Sequence, residues 1–176
     1  MSDADAATPD TALTLLKSSE YLTTCCGSLD QLLRGGLTSN GITEICGPSS
    51  SGKTHFCFQL CCTVQLPQSI GGLNGSACYI TNDFSVHTER LQDIGQYVAS
   101  RQEYESFTSF YQVSCSCRLS FLFVMEVEWN FSDNVYILLG TTAQMLLASL
   151  EHHLPELIKK NAVKLLVIDS LAGSMP

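Results

Sequence analysis

Two kinds of apolar spacing alternate along this chain. Short runs with little polar interruption occupy Gly41–Cys46, Ala77–Thr81, Val135–Leu139 and Val163–Asp169. Each is strand length, and a run apolar at successive positions suits a strand buried on both faces. Between them the apolar residues fall three and four apart. Lys53–Gln65 carries Phe56, Leu60 and Val64, with Pro67 just beyond, and His87–Ser100 carries Leu91, Ile94 and Val98. Thr142–Lys159 is amphipathic in the same way, so all three predict helices. Arg34-Gly35-Gly36-Leu37 predicts a turn and Gly71-Gly72-Leu73-Asn74-Gly75 a loop, while Ala12–Lys17 fits a short helix or an extended stretch. Strands alternating with helices imply an α/β domain, its mostly parallel sheet covered by helices on both faces.

Composition narrows this picture. At 176 residues the chain has the length of one domain, with hydrophobic residues at 45% and charged ones at 15%. A formal net charge of −8 with only nine Lys and Arg argues against a DNA-binding face on this chain alone. Residues 1–10 are acidic, small and Pro-containing, so residues 1–20 are expected to form a flexible tail without a targeting signal. The longest uncharged run, Asn134–Leu150, is short for a membrane helix and reads better as a strand followed by a helix; no membrane partner is expected. The nine cysteines include adjacent pairs, Cys25-Cys26 and Cys61-Cys62, and Cys57 and Cys61 share a helical face. That placement and the odd count favour free, buried thiols over a disulfide framework. Zinc is the sharper alternative, but no CxxC pair exists and Cys115-Ser116-Cys117 with His152-His153 has poor ligand spacing.

The chemistry is carried by Gly47-Pro48-Ser49-Ser50-Ser51-Gly52-Lys53-Thr54, which matches G-x-x-x-x-G-K-[ST] at every fixed position. Gly47 and Gly52 let the backbone turn so that successive N–H groups surround phosphates, and the following helix directs its positive end at them. Lys53 would neutralise the β- and γ-phosphates, and the Thr54 hydroxyl would ligate Mg²⁺. A chance match in a Gly/Ser-rich loop is the bland alternative, but a strand before and a helix after supply the required context. Leu165-Leu166-Val167-Ile168-Asp169 has the form of a Walker-B strand, which assigns Asp169 to Mg²⁺ through water; alone, it could equally end a strand as a capping carboxylate. Asp83, just past the Ala77–Thr81 strand, stands where a water-orienting group belongs, although spacing alone favours a plain loop start at Asn82-Asp83.

This combination resembles the RecA-like recombinase paralogues of eukaryotes. The resemblance rests on Leu29-Asp30-Gln31-Leu32-Leu33-Arg34-Gly35-Gly36-Leu37, Gly41-Ile42-Thr43-Glu44 and the P-loop. Gln59-Leu60-Cys61, Val64-Gln65-Leu66-Pro67, Gly71-Gly72-Leu73, Tyr79-Ile80, Arg90-Leu91 and Val167-Ile168-Asp169-Ser170 then follow in order. It implies a RecA-like P-loop ATPase core over residues 21–176 and ATP with Mg²⁺ as cofactors. It also implies assembly beside another paralogue subunit, and repair of double-strand breaks by homologous recombination. The nucleus is the implied location, with the cytoplasm as a second one. A different class stays open, a truncated interaction fragment with no ATPase or recombination activity of its own. A P-loop kinase or GTPase is disfavoured by the Leu29–Glu44 landmarks and by the lack of an Asn-Lys-x-Asp guanine reader.

Departures from the family pattern matter. Its catalytic glutamate falls at Asp83, one methylene shorter, and the glutamine after the P-loop threonine is His55. Where positioning dominates catalysis, both weigh against turnover and leave binding intact. The family begins with a small helical domain and continues past the Walker-B strand with further strands and two DNA-contacting loops. The chain is therefore expected to be a core truncated after that strand, with DNA bound only by the full-length complex. Residues 113–130 have no family counterpart and resemble translated non-coding sequence or an alternative exon, against a genuine inserted hairpin.

Overall fold

The computed structural model describes residues 20–83, 88–111 and 131–170. The atypical 113–130 segment, the Ala12–Lys17 stretch, the tail before residue 20 and residues 171–176 lie outside them.

A small antiparallel pair opens the fold, with β1 (Tyr21–Leu22) against β2 (Leu37–Thr38), and α1 (Gly27–Leu32) between them. Asp30, from the family landmark run, holds this unit together. Its carboxylate accepts from the Thr23 hydroxyl at 2.6 Å, and from the Thr24 amide and hydroxyl at 2.9 and 2.7 Å. Burial pushes the Asp30 carboxyl up, but these hydrogen bonds outweigh it and hold it below the ordinary value. Gly36 makes the return possible. Its φ is +119°, and a Cβ there would lie 2.3 Å from the Leu22 carbonyl oxygen.

The main sheet is parallel, in the order β4 (Val135–Leu139), β3 (Ser76–Thr81), β5 (Val163–Asp169). β3 lies between its two partners and is buried along its whole length. Alternate side chains leave it on opposite faces. Ala77 and Tyr79, with Leu165 and Val167 of β5, pack under α2 (Lys53–Thr63) and α3 (Thr88–Tyr111), meeting Phe58, Leu60, Cys61, Leu91, Ile94 and Val98. Cys78 and Ile80 meet Leu146, Leu150, Leu154 and Leu157 on the other face. These come from α4 (Ala143–Ala148), a π-helical turn at Ser149–His153, and α5 (Leu154–Lys160). The parallel sheet with helices on both faces is therefore as the apolar pattern predicts. Gln65, buried just past the end of α2, donates to the Cys61 and Phe131 carbonyls at 2.8 and 3.0 Å and so ties α2 to the turn that leads into β4.

Three expectations need correction. Gly41–Cys46 is not a strand: it has no ladder partner among the described residues, and every residue in it is exposed, Ile42 fully so. An apolar run becomes a strand only when a neighbour takes its N–H and C=O groups, and among the described residues the three-stranded sheet ends at β5. For the same reason Cys46 is exposed, unlike the buried Cys25, Cys61, Cys62 and Cys78, all free thiols. The expected continuous helix over Thr142–Lys159 is interrupted at Ser149–His153. Pro155 has no N–H to give and its ring crowds the carbonyl four residues back, and a π-helical turn absorbs that conflict. The Thr142 hydroxyl caps the front of this segment, accepting from the Met145 amide at 3.2 Å. No described helix is long and apolar enough to cross a membrane.

Candidate functional site

At the C-terminal ends of β3 and β5 the sheet opens into a cavity of about 550 Å³, a size suited to a nucleotide-sized ligand. Of the residues assigned from sequence, Ser49, Ser50, Gly52, Lys53, Thr54, Asp83 and Asp169 all line it. Gly47, Pro48 and Ser51 do not, and form the back of the same loop.

The loop conformation follows from its residues. Ser51 N–H donates to the Pro48 carbonyl at 3.3 Å, closing a turn, and Ser50 adopts φ 61°. Gly52 sits at the N-cap of α2 with φ 90°, a left-handed conformation that glycine adopts without strain. No side chain caps α2. Its first N–H groups, which have no partner within the helix, therefore present the positive end of the helix dipole to the cavity. Lys53 Nζ donates to the Gly47 and Pro48 carbonyls at 2.9 and 2.8 Å, so the ammonium is folded over the loop rather than extended into solvent.

Across the cavity floor the chain brings together residues 115 apart. Thr54 Oγ1 donates to Asp169 Oδ2 at 2.6 Å, and the Tyr79 hydroxyl donates to the same oxygen at 2.7 Å. The strand register explains the second contact. Tyr79 pairs with Val167 and Thr81 with Asp169, which makes Tyr79 the diagonal neighbour of Asp169 on one face of the sheet, within reach of a long aromatic side chain. Burial first, then the Asp169 hydrogen bond, pushes the Tyr79 phenol well above its ordinary value, so it stays a donor. Burial and the Asp169 charge together push the nearby Cys57 thiol up to about 11.

A hydroxyl and a carboxylate at the head of an uncapped helix form an oxygen donor set, which suits a hard cation such as Mg²⁺ held against phosphate. The residues present therefore fit both a polyphosphate and its metal. The described residues hold no cluster of three or more His, Cys, Asp or Glu arranged for a metal; Cys115 and Cys117 of the zinc alternative lie outside them. Asp83 lines the cavity and is exposed, its amide donating to the Thr81 hydroxyl at 3.1 Å. Sequence reasoning assigned no role to Tyr79 or Arg90, yet both line this cavity. A phenol in an otherwise apolar strand was the available signal for Tyr79, because a buried tyrosine hydroxyl needs a partner.

Comparison with known proteins gives the family. The Rad51 family profile matches residues 17–111, more than half of the chain and a span that includes the P-loop, α2, β3 and α3. The chain belongs to the Rad51 family. It is 32% identical to the DNA repair protein rhp57 of Schizosaccharomyces pombe over 89% of its own length and 40% of that protein's. It is 34% identical to the DNA repair protein XRCC3 of Bos taurus over 84% of its length and 39% of XRCC3. To the DNA repair protein RAD57 of Saccharomyces cerevisiae it is 34% identical, over 77% of its length and 29% of that protein. The resemblance to the recombinase paralogues is thus borne out, and this Rad51-family chain spans well under half the length of these relatives.

Proposed function

We propose that this chain is the nucleotide-binding core of a recombinase paralogue. In this reading residues 21–176 are one ATPase-type unit, with residues 1–20 as its leading linker. ATP and Mg²⁺ occupy the cavity. The amides of Gly47–Thr54 and the Lys53 ammonium hold the phosphates, and Thr54 and Asp169 hold the metal, which would neutralise phosphate charge there. The observation that carries this reading is the 2.6 Å contact between Thr54 and Asp169, because it puts the two expected metal-holding groups side by side at the head of an uncapped helix. Asp83 is the candidate for orienting an attacking water, with a shorter reach than glutamate would have. The relatives are named DNA repair proteins, and this reading extends that role to double-strand-break repair by homologous recombination in the nucleus, beside another paralogue subunit. With a net charge of −8, DNA is engaged by the complete assembly rather than by this chain alone.

A second reading, an interaction fragment without ATPase activity, is favoured by the exposed Gly41–Cys46 segment and by β5, which pairs on one side only among the described residues. Lys53→Ala separates the two. Removing a charge-assisted contact costs about 1.5–3 kcal/mol, so affinity for a fluorescent ATP analogue in Mg²⁺ should fall at least about tenfold. Equal affinities, with partner capture intact, would favour the fragment.

A further inference from the structure

We infer that Tyr79 is a positioning residue for the metal-holding carboxylate, an inference that rests on the nucleotide-site reading. Asp169 Oδ2 accepts two hydroxyl protons, from Thr54 at 2.6 Å and from Tyr79 at 2.7 Å. A carboxylate oxygen offers about two acceptor positions, so this pair of donors satisfies Oδ2 and leaves Oδ1 as the oxygen with capacity for a metal-bound water. The same arrangement orients Thr54. A hydroxyl that gives its proton to Asp169 turns its lone pairs away from that carboxylate, where a cation can take one.

Tyr79 can impose this orientation because it is itself fixed. Its side chain is 2% exposed, and its ring lies against Phe58 with centroids 5.1 Å apart and planes at 46°. The terminal torsion of an aspartate is broad and roughly two-fold, so packing alone sets it poorly. Without the phenol, Thr54 would be left to hold Asp169 from an exposed position. Its hydroxyl is given to Asp169, so Tyr79 acts through that carboxylate, as a partner outside the ligand set does in many metal sites.

Tyr79→Phe keeps the ring and removes only the donor. Binding of a fluorescent ATP analogue is measured against Mg²⁺ concentration and again in EDTA, for the wild-type chain, Tyr79→Phe, Asp169→Asn and the double variant. Loss of an outer partner typically weakens metal binding about 10- to 100-fold, so the Mg²⁺ midpoint of Tyr79→Phe should rise by at least about tenfold. Its affinity in EDTA should stay within about twofold of wild type, because the loop and helix are untouched. On the Asp169→Asn background Tyr79→Phe should add nothing. An unchanged Mg²⁺ midpoint would overturn the inference while leaving nucleotide binding in place. Equal losses with and without Mg²⁺ would also overturn it, making Tyr79 a packing residue. A wild-type chain that binds no nucleotide, or binds it as well with Lys53→Ala, would remove the site reading and this inference with it.

Discussion

The P-loop hangs between two unlike regions. On its downstream side α2 is packed into the main core, with Phe58, Leu60 and Cys61 at 4, 3 and 0% exposure. On its upstream side Gly41–Cys46 is exposed throughout and joins no sheet among the described residues. Both segments are apolar in sequence, so hydrophobicity alone does not distinguish them. What differs is whether the backbone groups and side chains find neighbours. A helix satisfies its interior N–H and C=O groups within itself and needs only one covered face, whereas a strand needs another strand. The placement of Thr54 beside Asp169 is therefore set by α2 lying on β3 and β5, and owes nothing to the segment that leads into the loop.

Truncating one apolar residue on each side of the loop should separate the two regions most strongly. Leu60→Ala opens a cavity in the packed core and should cost about 2–5 kcal/mol. Ile42→Ala removes a side chain already in solvent and should stay within about 0.5 kcal/mol of wild type. Denaturant midpoints of the two variants read the difference. Similar losses would mean that Gly41–Cys46 is packed against something in solution.

A smaller effect comes from the thiols. Burial pushes Cys57 and Cys78 up to about 11 and Cys62 to about 12, from an ordinary value of 9.0. A folded-state value raised in this way means that the folded protein holds its protons more tightly than the unfolded chain. The resulting stability is complete below about pH 9 and is lost as pH rises through 11 to 12. Thermal midpoints should therefore fall across that window under reducing conditions. A flat profile would show that these thiols are not buried. On the open side Cys46 is exposed, and at pH 8 an alkylating reagent should label it well ahead of Cys61, Cys62 and Cys78, as peptide mass analysis would record.

Much of this could be read from the residues. The strands at Val135–Leu139 and Val163–Asp169 have the bounds their apolar runs predict, and Leu91, Ile94 and Val98 form the buried stripe of α3. The P-loop assignment gathered Lys53, Thr54, Asp83 and Asp169 into one cavity because the motif and the strand ends are local signals. Gly41–Cys46 was misread because strand formation depends on a partner that apolar spacing does not reveal. The Ser149–His153 irregularity was missed because helical periodicity averages over one extra residue, although Pro155 marked the place. Tyr79 was missed as a site residue because its role depends on the β3–β5 register, in which Tyr79 faces Val167 and Thr81 faces Asp169, and register between strands so far apart is not written in either strand.

Amide hydrogen exchange reads most directly whether the P-loop, proposed to hold ATP and Mg²⁺, is anchored from its helix side. Peptides covering β3 should exchange slowly and those covering Gly41–Cys46 quickly in the free protein, since the first are paired and buried and the second are not. Adding Mg²⁺ and a non-hydrolysable ATP analogue should slow exchange across Gly47–Thr54, as the loop amides turn to phosphate oxygens, and should leave the interior of β3 unchanged. No change at Gly47–Thr54 at saturating nucleotide would contradict the account.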